Sequence, residues 1–191
     1  MTSNSISPPE MRSPGLQTER LRLVAALLEH LDAELESPEA LGLLLHARVP
    51  EGWPPGEYDR GAIEFFRSRL VENPEAVGWY GWYGVRKAEG MEPAVLVGAC
   101  GYFGLPDAEG VVEIGYSVVP AFQKQGYAVE MVRALAMRAF AVPGVAHIIA
   151  HTSPDNRASI KVLERCGFSL IGPGRDPGTI QFRLEPPPKI G

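Results

Sequence analysis

Apolar positions recur along the chain with two different periods, and the places where the period changes mark the elements. Over 18–25 (TERLRLVA), Leu21, Leu23 and Ala25 alternate with Arg20 and Arg22, which predicts a strand with one buried face. Leu27, Leu28, Leu31 and Leu35 then fall at helical spacing, and Pro38 opens a second helical piece, PEALGLLLHA, so the Ser37-Pro38 break predicts two short helices. Residues 48–59 (RVPEGWPPGEYD) carry too much proline and glycine for a regular state and predict a long loop holding Trp53. The amphipathic RGAIEFFRSRL follows it as a helix. Runs at 78–87, 94–105 and 110–119, parted by Glu-Gly and Pro-Asp turn signals, predict an antiparallel meander.

Beyond residue 119 strands and helices alternate: helix 126–140, strand 146–153, helix 156–166, and strands near 168–172 and 179–184. In the first of these helices Ala128, Met131, Val132, Leu135, Ala136 and Ala139 share a face, and Pro143-Gly144 stops it. This order predicts an α+β chain, a mixed sheet with helices on its faces. There is no internal repeat.

Composition adds boundaries. With 191 residues, 45% hydrophobic and 21% charged, the chain is long enough for one globular domain with a sizeable core. Residues 1–15 hold little that can be buried and lack the basic and apolar blocks of a secretory signal, so a flexible leader starting at Met1 is expected. The single domain is expected over 16–185, with a proline-rich tail at 186–191. No apolar run reaches the roughly 18 to 20 residues of a membrane span. Cys100 and Cys166 lack any metal-ligand spacing, so no metal is expected and a cytoplasmic protein with reduced thiols follows. A net charge of -5 supplies no concentrated basic face for nucleic acid and suits a cationic partner.

The stretch VVPAFQKQGYAVEM (118–131) sets a glycine and a small residue where a strand hands over to a helix. A helix N-terminus has about four unpaired N–H groups and roughly half a positive charge, so it holds an anion without a cationic side chain. Gly126 lets a phosphate approach the amides, and Ala128 keeps the first turn uncluttered. Taken alone, the same glycine reads equally as a turn. Neither GxxxxGK[ST] nor GxGxxG occurs in the chain.

Gln123-x-x-Gly126-x-Ala128 resembles the Q/R-x-x-G-x-G/A acetyl-CoA signature of GNAT N-acetyltransferases. PDNRASIKVLERCGF (154–168) is similar to a later block of the same fold, with Asn156, Ser159, Gly167 and Phe168 at family spacing. EIGYSVVPAFQKQGYA (113–128) and the opening TERLRL are similar to the RimJ/RimL-like, ribosomal-protein N-terminal branch. The resemblance spans roughly residues 16–185. It implies the GNAT acyl-CoA N-acyltransferase fold, with about seven strands in a mixed sheet, helices on both faces and a splayed central strand pair.

The resemblance further implies acetyl-CoA as cofactor. Pantetheine amides would pair with exposed backbone near Val118 and Val119, and pyrophosphate would sit on the amides of Gln123, Lys124, Gln125, Gly126, Tyr127 and Ala128. Asn156 reads as a helix N-cap, to which the resemblance adds a pantetheine contact, and the two roles can coexist. Ser159 is either a helix-surface hydroxyl bonded one turn back or, by the resemblance, a cofactor contact that protonates the departing thiolate. The tyrosine that many GNAT enzymes carry seven residues after the asparagine is replaced by Leu163.

Acetyl transfer needs a neutral amine and a stabilised oxyanion. Glu113 lies with Gly115 and Ser117 on one face of an otherwise apolar strand, where desolvation raises a carboxyl toward a useful base. It is either an acid paired with an arginine such as Arg86 or, as the resemblance favours, a general base acting directly or through water. Trp53, Trp82, Tyr102 and Tyr116 either line the acceptor pocket or pack the interior. His151, at the end of a strand just before the Asn156 block, either assists proton removal or is a structural histidine, and the second reading keeps it out of the expected catalytic set.

An α-amine with pKa near 7.7 is roughly one-sixth neutral at pH 7, whereas lysine is neutral on the order of once in 2,500, a gap of about 3.7 kcal/mol. The expected activity is therefore direct acetyl transfer to a primary amine, foremost a protein or peptide N-terminal α-amine. The alternatives are a small-molecule amine (antibiotic, polyamine or metabolite) and a non-catalytic acyl-CoA-binding sensor. Either a monomer or a homodimer is expected.

Overall fold

The computed structural model describes residues 14–188, so most of the expected leader and the last three residues of the tail lie outside the described residues. Gly15, expected in the leader, instead opens a three-residue strand, β1 (Gly15–Gln17), antiparallel to β2 (Leu21–Ala25). Two helices follow, α1 (Leu28–Glu36) and α2 (Pro38–Leu45), divided where the sequence divides them. Ser37 serves both: its N–H closes α1 on Ala33 O, and its side chain caps α2 by accepting from Ala40 N–H, with Pro38 at the first helical position.

After the 48–59 loop come α3 (Arg60–Glu72), β3 (Gly81–Arg86), β4 (Val95–Tyr102), β5 (Val111–Val118), α4 (Tyr127–Phe140), β6 (His147–Thr152), α5 (Arg157–Arg165), β7 (Ser169–Pro173) and β8 (Ile180–Leu184). The strands form one mixed sheet in the order β1-β2-β3-β4-β5-β6-β8-β7, in which β5 and β6 are the parallel pair. It holds eight strands among the described residues; the extra one is β1, too short to leave a period in the sequence.

Alternation along the strands divides the interior in two. Leu21, Leu23, Trp82, Tyr102, Val112, Ile114, Ile148 and Ala150 meet Met131, Val132 and Leu135 of α4 and Leu163 of α5 on one face. Val24, Tyr83, Val85, Leu96 and Ala99 meet Leu31, Leu41, Ile63 and Phe66 of α1–α3 on the other. On β5 the odd-numbered Glu113, Gly115 and Ser117 therefore turn to the α1–α3 face, away from α4 and α5. No described helix is long and apolar enough to cross a membrane.

The feature that positions the site is an incomplete ladder. β4 and β5 pair from Tyr102↔Ile114 to Gly98↔Val118, whereas β5 and β6 pair only from Val111↔His147 to Glu113↔Ile149. Past Glu113 the two parallel strands part. Residues 114–118 of β5 then have a neighbour on one side only.

Candidate active site

The gap between β5 and β6 exposes a defined set of backbone groups. Phe103 N–H donates to Glu113 O at 3.0 Å and Val119 N–H donates to Val97 O at 3.0 Å, so the odd-numbered residues of β5 bond to β4. Alternation turns the N–H and C=O of Tyr116 and Val118 into the gap. Val119 therefore leaves the expected pair: its N–H closes the β4 ladder and its side chain is buried. The Val118 carbonyl accepts from the Gln123 side-chain amide at 3.0 Å, leaving the Val118 N–H as the free donor at the end of the strand.

Beyond Val118, residues 120–122 form a 3₁₀ turn and the chain enters α4 through two left-handed residues, Lys124 (φ 63°) and Gly126 (φ 86°). Gly126 is the N-cap and has no side chain to cap with, so the first-turn amides remain open. The N–H groups of Lys124 through Val129 have no partner among the described residues. Open amides grouped in this way have the geometry of an anion cradle. It is built from backbone: the Gln123 and Gln125 side chains bind Val118 O and Ala121 O, and the Tyr127 ring is buried beneath the Arg20 guanidinium, 4.5 Å from its centroid.

Arg20, read in the sequence only as the polar side of a strand, braces this cradle from 105 residues away. Its Nη1 donates to Gln125 O at 2.9 Å, and its Nη2 and Nε meet Glu130 Oε2 at 2.7 and 2.9 Å. Thr18 Oγ1 and Arg20 N–H both donate to Glu130 Oε1. Partial burial works to raise the Glu130 carboxyl, but the hydrogen bonds from Thr18 and Arg20 outweigh it and hold the group below its ordinary 4.5. A depressed carboxyl pKa contributes stability that is complete above the ordinary value and is lost as pH falls through the lowered one. Glu130→Gln should lower stability at pH 7 by about 1–2 kcal/mol and flatten the loss of urea midpoint below about pH 4.5. An unchanged acid limb in the variant would refute this account.

On the far side of the gap, α5 starts at Asn156, whose Oδ1 accepts from Ser159 N–H at 3.0 Å; the N-cap reading holds. Ser159 Oγ lies 2.8 Å from Tyr116 OH, which also donates to Ser159 O at 3.1 Å. Tyr116 thus belongs to the α5 side of the gap. Burial pushes its phenol up to about 12 against the opposing hydrogen bond from Ser159, so it keeps its proton through the physiological range. Position 163 is a buried leucine, and the phenol beside Ser159 comes from β5.

On the opposite face, Glu113 Oε1 meets His151 Nδ1 at 3.0 Å and Oε2 meets Arg175 Nη1 at 3.2 Å. The sequence suggested Arg86 as its partner, but Arg86 binds Glu92 at 2.7 Å. Next to Glu113, Gly115 and Ser117 join Glu57, Tyr58, Phe66 and Phe103 around a cavity of about 120 Å³. The 48–59 loop forms its outer wall, and Ser117 Oγ ties that loop down by donating to Pro55 O at 2.8 Å.

Three of the four aromatic residues considered for an acceptor pocket do not reach this cavity. Trp82 is in the core with its indole N–H on Gly78 O, and Tyr102 is buried with its hydroxyl on Leu135 O. Trp53 donates to Glu34 Oε1 at 2.8 Å, while Tyr58 and Tyr83 hydroxyls donate to Glu34 Oε2 at 2.9 and 2.6 Å. Glu34, Glu57 and Phe103 were not singled out by the sequence. Glu34 had a usable signal, as an acid one position before Leu35 in an otherwise apolar helical repeat.

Residues 20–169 match the family described as acetyltransferase (GNAT) domain. Over 155 residues the chain is 33% identical to YjdG of Bacillus subtilis (strain 168), described as an uncharacterized N-acetyltransferase, which covers 81% of this chain and 89% of that protein. Solved structures of the same fold include RimL, a ribosomal L7/L12 alpha-N-protein acetyltransferase in complex with coenzyme A. It is 17% identical with a TM-score of 0.63, over 90% of this chain and 98% of that one. Ribosomal-protein-S5-alanine acetyltransferase from Vibrio fischeri is 18% identical with a TM-score of 0.62, over 90% and 96%. Microcin C7 self-immunity acetyltransferase MccE, in complex with acetyl-CoA and AMP, is 15% identical with a TM-score of 0.59, over 88% and 93%.

Proposed function

The chain belongs to the GNAT acetyltransferase family and is an acetyl-CoA-dependent N-acetyltransferase, and we propose that its acceptor is the α-amine of a protein or peptide N-terminus. The observation that carries this reading is the cavity walled by Gly115 and Ser117 of β5, the strand that also carries Glu113. At about 120 Å³ it lies well below the roughly 300–1,000 Å³ of pockets that enclose a drug-sized molecule. It suits the narrow end of a chain with a small first side chain. Phe66 and Phe103 give that side chain an apolar wall, and Glu57 gives an incoming ammonium a counter-charge. Two of the structural neighbours are named as acetyltransferases of ribosomal proteins, which supports the same acceptor class.

The residues present fit acetyl-CoA. The open amides of Lys124 to Val129 suit its pyrophosphate, and the unpaired β5 backbone at Tyr116 and Val118 suits the amides of an extended pantetheine arm. The cofactor supplies an activated acetyl group. Val118 N–H, aimed into the gap, serves as donor to the carbonyl oxygen as charge develops on it. Ser159, within reach of a protonated phenol, delivers a proton at the α5 side of the gap. Proton removal from the acceptor is assigned to the opposite face, where Glu113 stands.

Thiol release from acetyl-CoA with a free N-terminal peptide should exceed that with an N-blocked lysine peptide by about 400-fold in kcat/KM at pH 7, following the neutral fractions of the two amines. Polyamines and aminoglycosides belong in the same screen. Better turnover of any of these than of every free N-terminal peptide would sink the acceptor assignment. Ser159→Ala should lower kcat by about 10²-fold while leaving the Kd for acetyl-CoA within about threefold.

A further inference from the structure

We infer that the group which takes the acceptor's proton is Nε2 of His151, and that Glu113 is the residue that orients and charges it. The inference rests on the acetyl-transfer reading above and does not depend on which amine is the acceptor.

Both side chains stand at the fork where β5 and β6 part. Glu113 is the last residue of β5 paired to β6, and His151 lies two residues beyond its partner Ile149, on the same face of the sheet. Both Glu113 oxygens already have partners, His151 Nδ1 at 3.0 Å and Arg175 Nη1 at 3.2 Å. A carboxylate accepts at Nδ1 only if that nitrogen carries the hydrogen, which in the neutral imidazole leaves the lone pair on Nε2. Nε2 is buried and has no hydrogen-bond partner among the described residues. A buried ring nitrogen without a partner is rare in a folded protein and calls for a ligand or a water.

The ring is held in place. Gly174 packs against its edge, and a Cβ at that position would stand 2.9 Å from His151 Cδ2. Gly174 belongs to the connection between β7 and β8 that also carries Arg175, whose side chain is 68% exposed. An ion pair so open to water is worth little, so the Arg175 side chain can swing aside to admit an amine without a large penalty. Of the other charged or titratable groups, His147 shares the strand face, Asp176 lies 3.9 Å from Arg175 in the same connection, and Arg183, opposite Ile149 on β8, is paired with Glu185; the residue opposite His151 is the neutral Gln181.

The proton arithmetic favours imidazole. Moving a proton from an ordinary α-ammonium is roughly 2,500-fold uphill to an ordinary carboxylate and only about fifteen-fold uphill to an ordinary imidazole. The ammonium gives one proton to Nε2, and the imidazolium is stabilised by the Glu113 carboxylate on Nδ1–H. The amine nitrogen then bonds to the acetyl carbon as the C–S bond breaks. A second nitrogen proton leaves with the thiol through Ser159, and Nε2 returns its proton to solvent.

The test compares His151→Ala, His151→Gln and Glu113→Gln, with folding checked by thermal melting and with whichever amine the wild type acetylates best. His151→Ala should lower kcat/KM for the amine by about 100-fold, with the acetyl-CoA Kd within about twofold, and added imidazole should restore tenfold or more. The His151 variants should lose an ascending limb of the pH profile of kcat/KM that Glu113→Gln keeps. If His151→Ala does not fold, the pH profile of His151→Gln decides. The proposal is overturned if the His151 variants keep the wild-type pH profile, or if imidazole restores nothing. A failed acceptor screen with a successful rescue would separate the two readings.

Discussion

Gly126→Val is expected to raise the Kd for acetyl-CoA by about 100-fold while leaving the fold intact. Gly126 sits at φ 86°, ψ 0° as the N-cap of α4, a left-handed conformation that a β-branched residue adopts at a cost of about 1–3 kcal/mol. Its Cβ would also stand 3.3 Å from Arg20 Nη2, inside the group that braces the loop on Gln125 O and Glu130. The loop has room to relax at the surface, and relaxation scatters the open amides of Lys124 to Val129. Losing two charge-assisted hydrogen bonds at about 1.5–3 kcal/mol each already accounts for 100-fold or more. Isothermal titration with acetyl-CoA measures the effect. S-acetylpantetheine, which lacks the pyrophosphate, provides the control: its kcat/KM should change by less than about threefold. An equal loss with both donors would place the anion cradle elsewhere.

Much of this architecture is legible in the sequence because local physics specifies it. The two short helices parted at Ser37-Pro38 follow from capping, and the junction at 123–128 follows from the glycine that a left-handed N-cap requires. What the sequence conceals is pairing decided by topology. Arg20 and Glu130 are 110 residues apart, and Glu113 and Arg175 are 62 apart, so no spacing rule relates them. Arg86 was a reasonable partner for Glu113 by charge, yet β3 lies two strands away in the sheet order and its arginine meets Glu92. β4 hides a second feature. All of its residues are buried, so no alternation is visible, and a register step opposite Gly84/Val85 skips Val97. The inward set facing α4 thereby changes from Val95 and Val97 to Cys100 and Tyr102, and Tyr102 enters the core.

The same limit explains why aromatic residues were poor guides to the acceptor side. A tryptophan or tyrosine has both a large apolar body and a polar tip, so its sequence position does not say which of the two is being used. Trp82 and Tyr102 use both in the core. Tyr116 is the exception because β5 is the strand at the fork, and its hydroxyl is carried toward α5 and Ser159. The side chains proposed to act cluster where the ladder ends after Glu113, and that end point is a property of the sheet and not of any segment.

Glu34→Ala should cost about 3–5 kcal/mol of stability, roughly 10 °C in Tm, and should raise the KM for the acceptor more than the Kd for acetyl-CoA. The Glu34 carboxylate accepts from Trp53, Tyr58 and Tyr83, and Tyr58 and Tyr83 are buried, so alanine leaves buried donors unpaired. Glutamine keeps one acceptor oxygen, and Glu34→Gln should cost about 1–2 kcal/mol. Burial is the main influence on this carboxyl and raises it above 4.5, with the three hydrogen bonds acting in the opposite direction. A raised carboxyl pKa means that the folded state holds the proton more tightly, so its contribution to stability is greatest at low pH and declines as pH rises from about 4.5 through the raised value. Glu34→Gln should abolish that decline. The functional consequence follows from position: Trp53 and Tyr58 bracket the loop that walls the acceptor cavity, and no Glu34 contact reaches the 123–128 cradle. Urea titrations across pH and steady-state kinetics with both substrates measure these effects. A loss under about 1 kcal/mol for alanine, or an acetyl-CoA Kd that moves as far as the acceptor KM, would show that the triad of donors on Glu34 does not hold that wall.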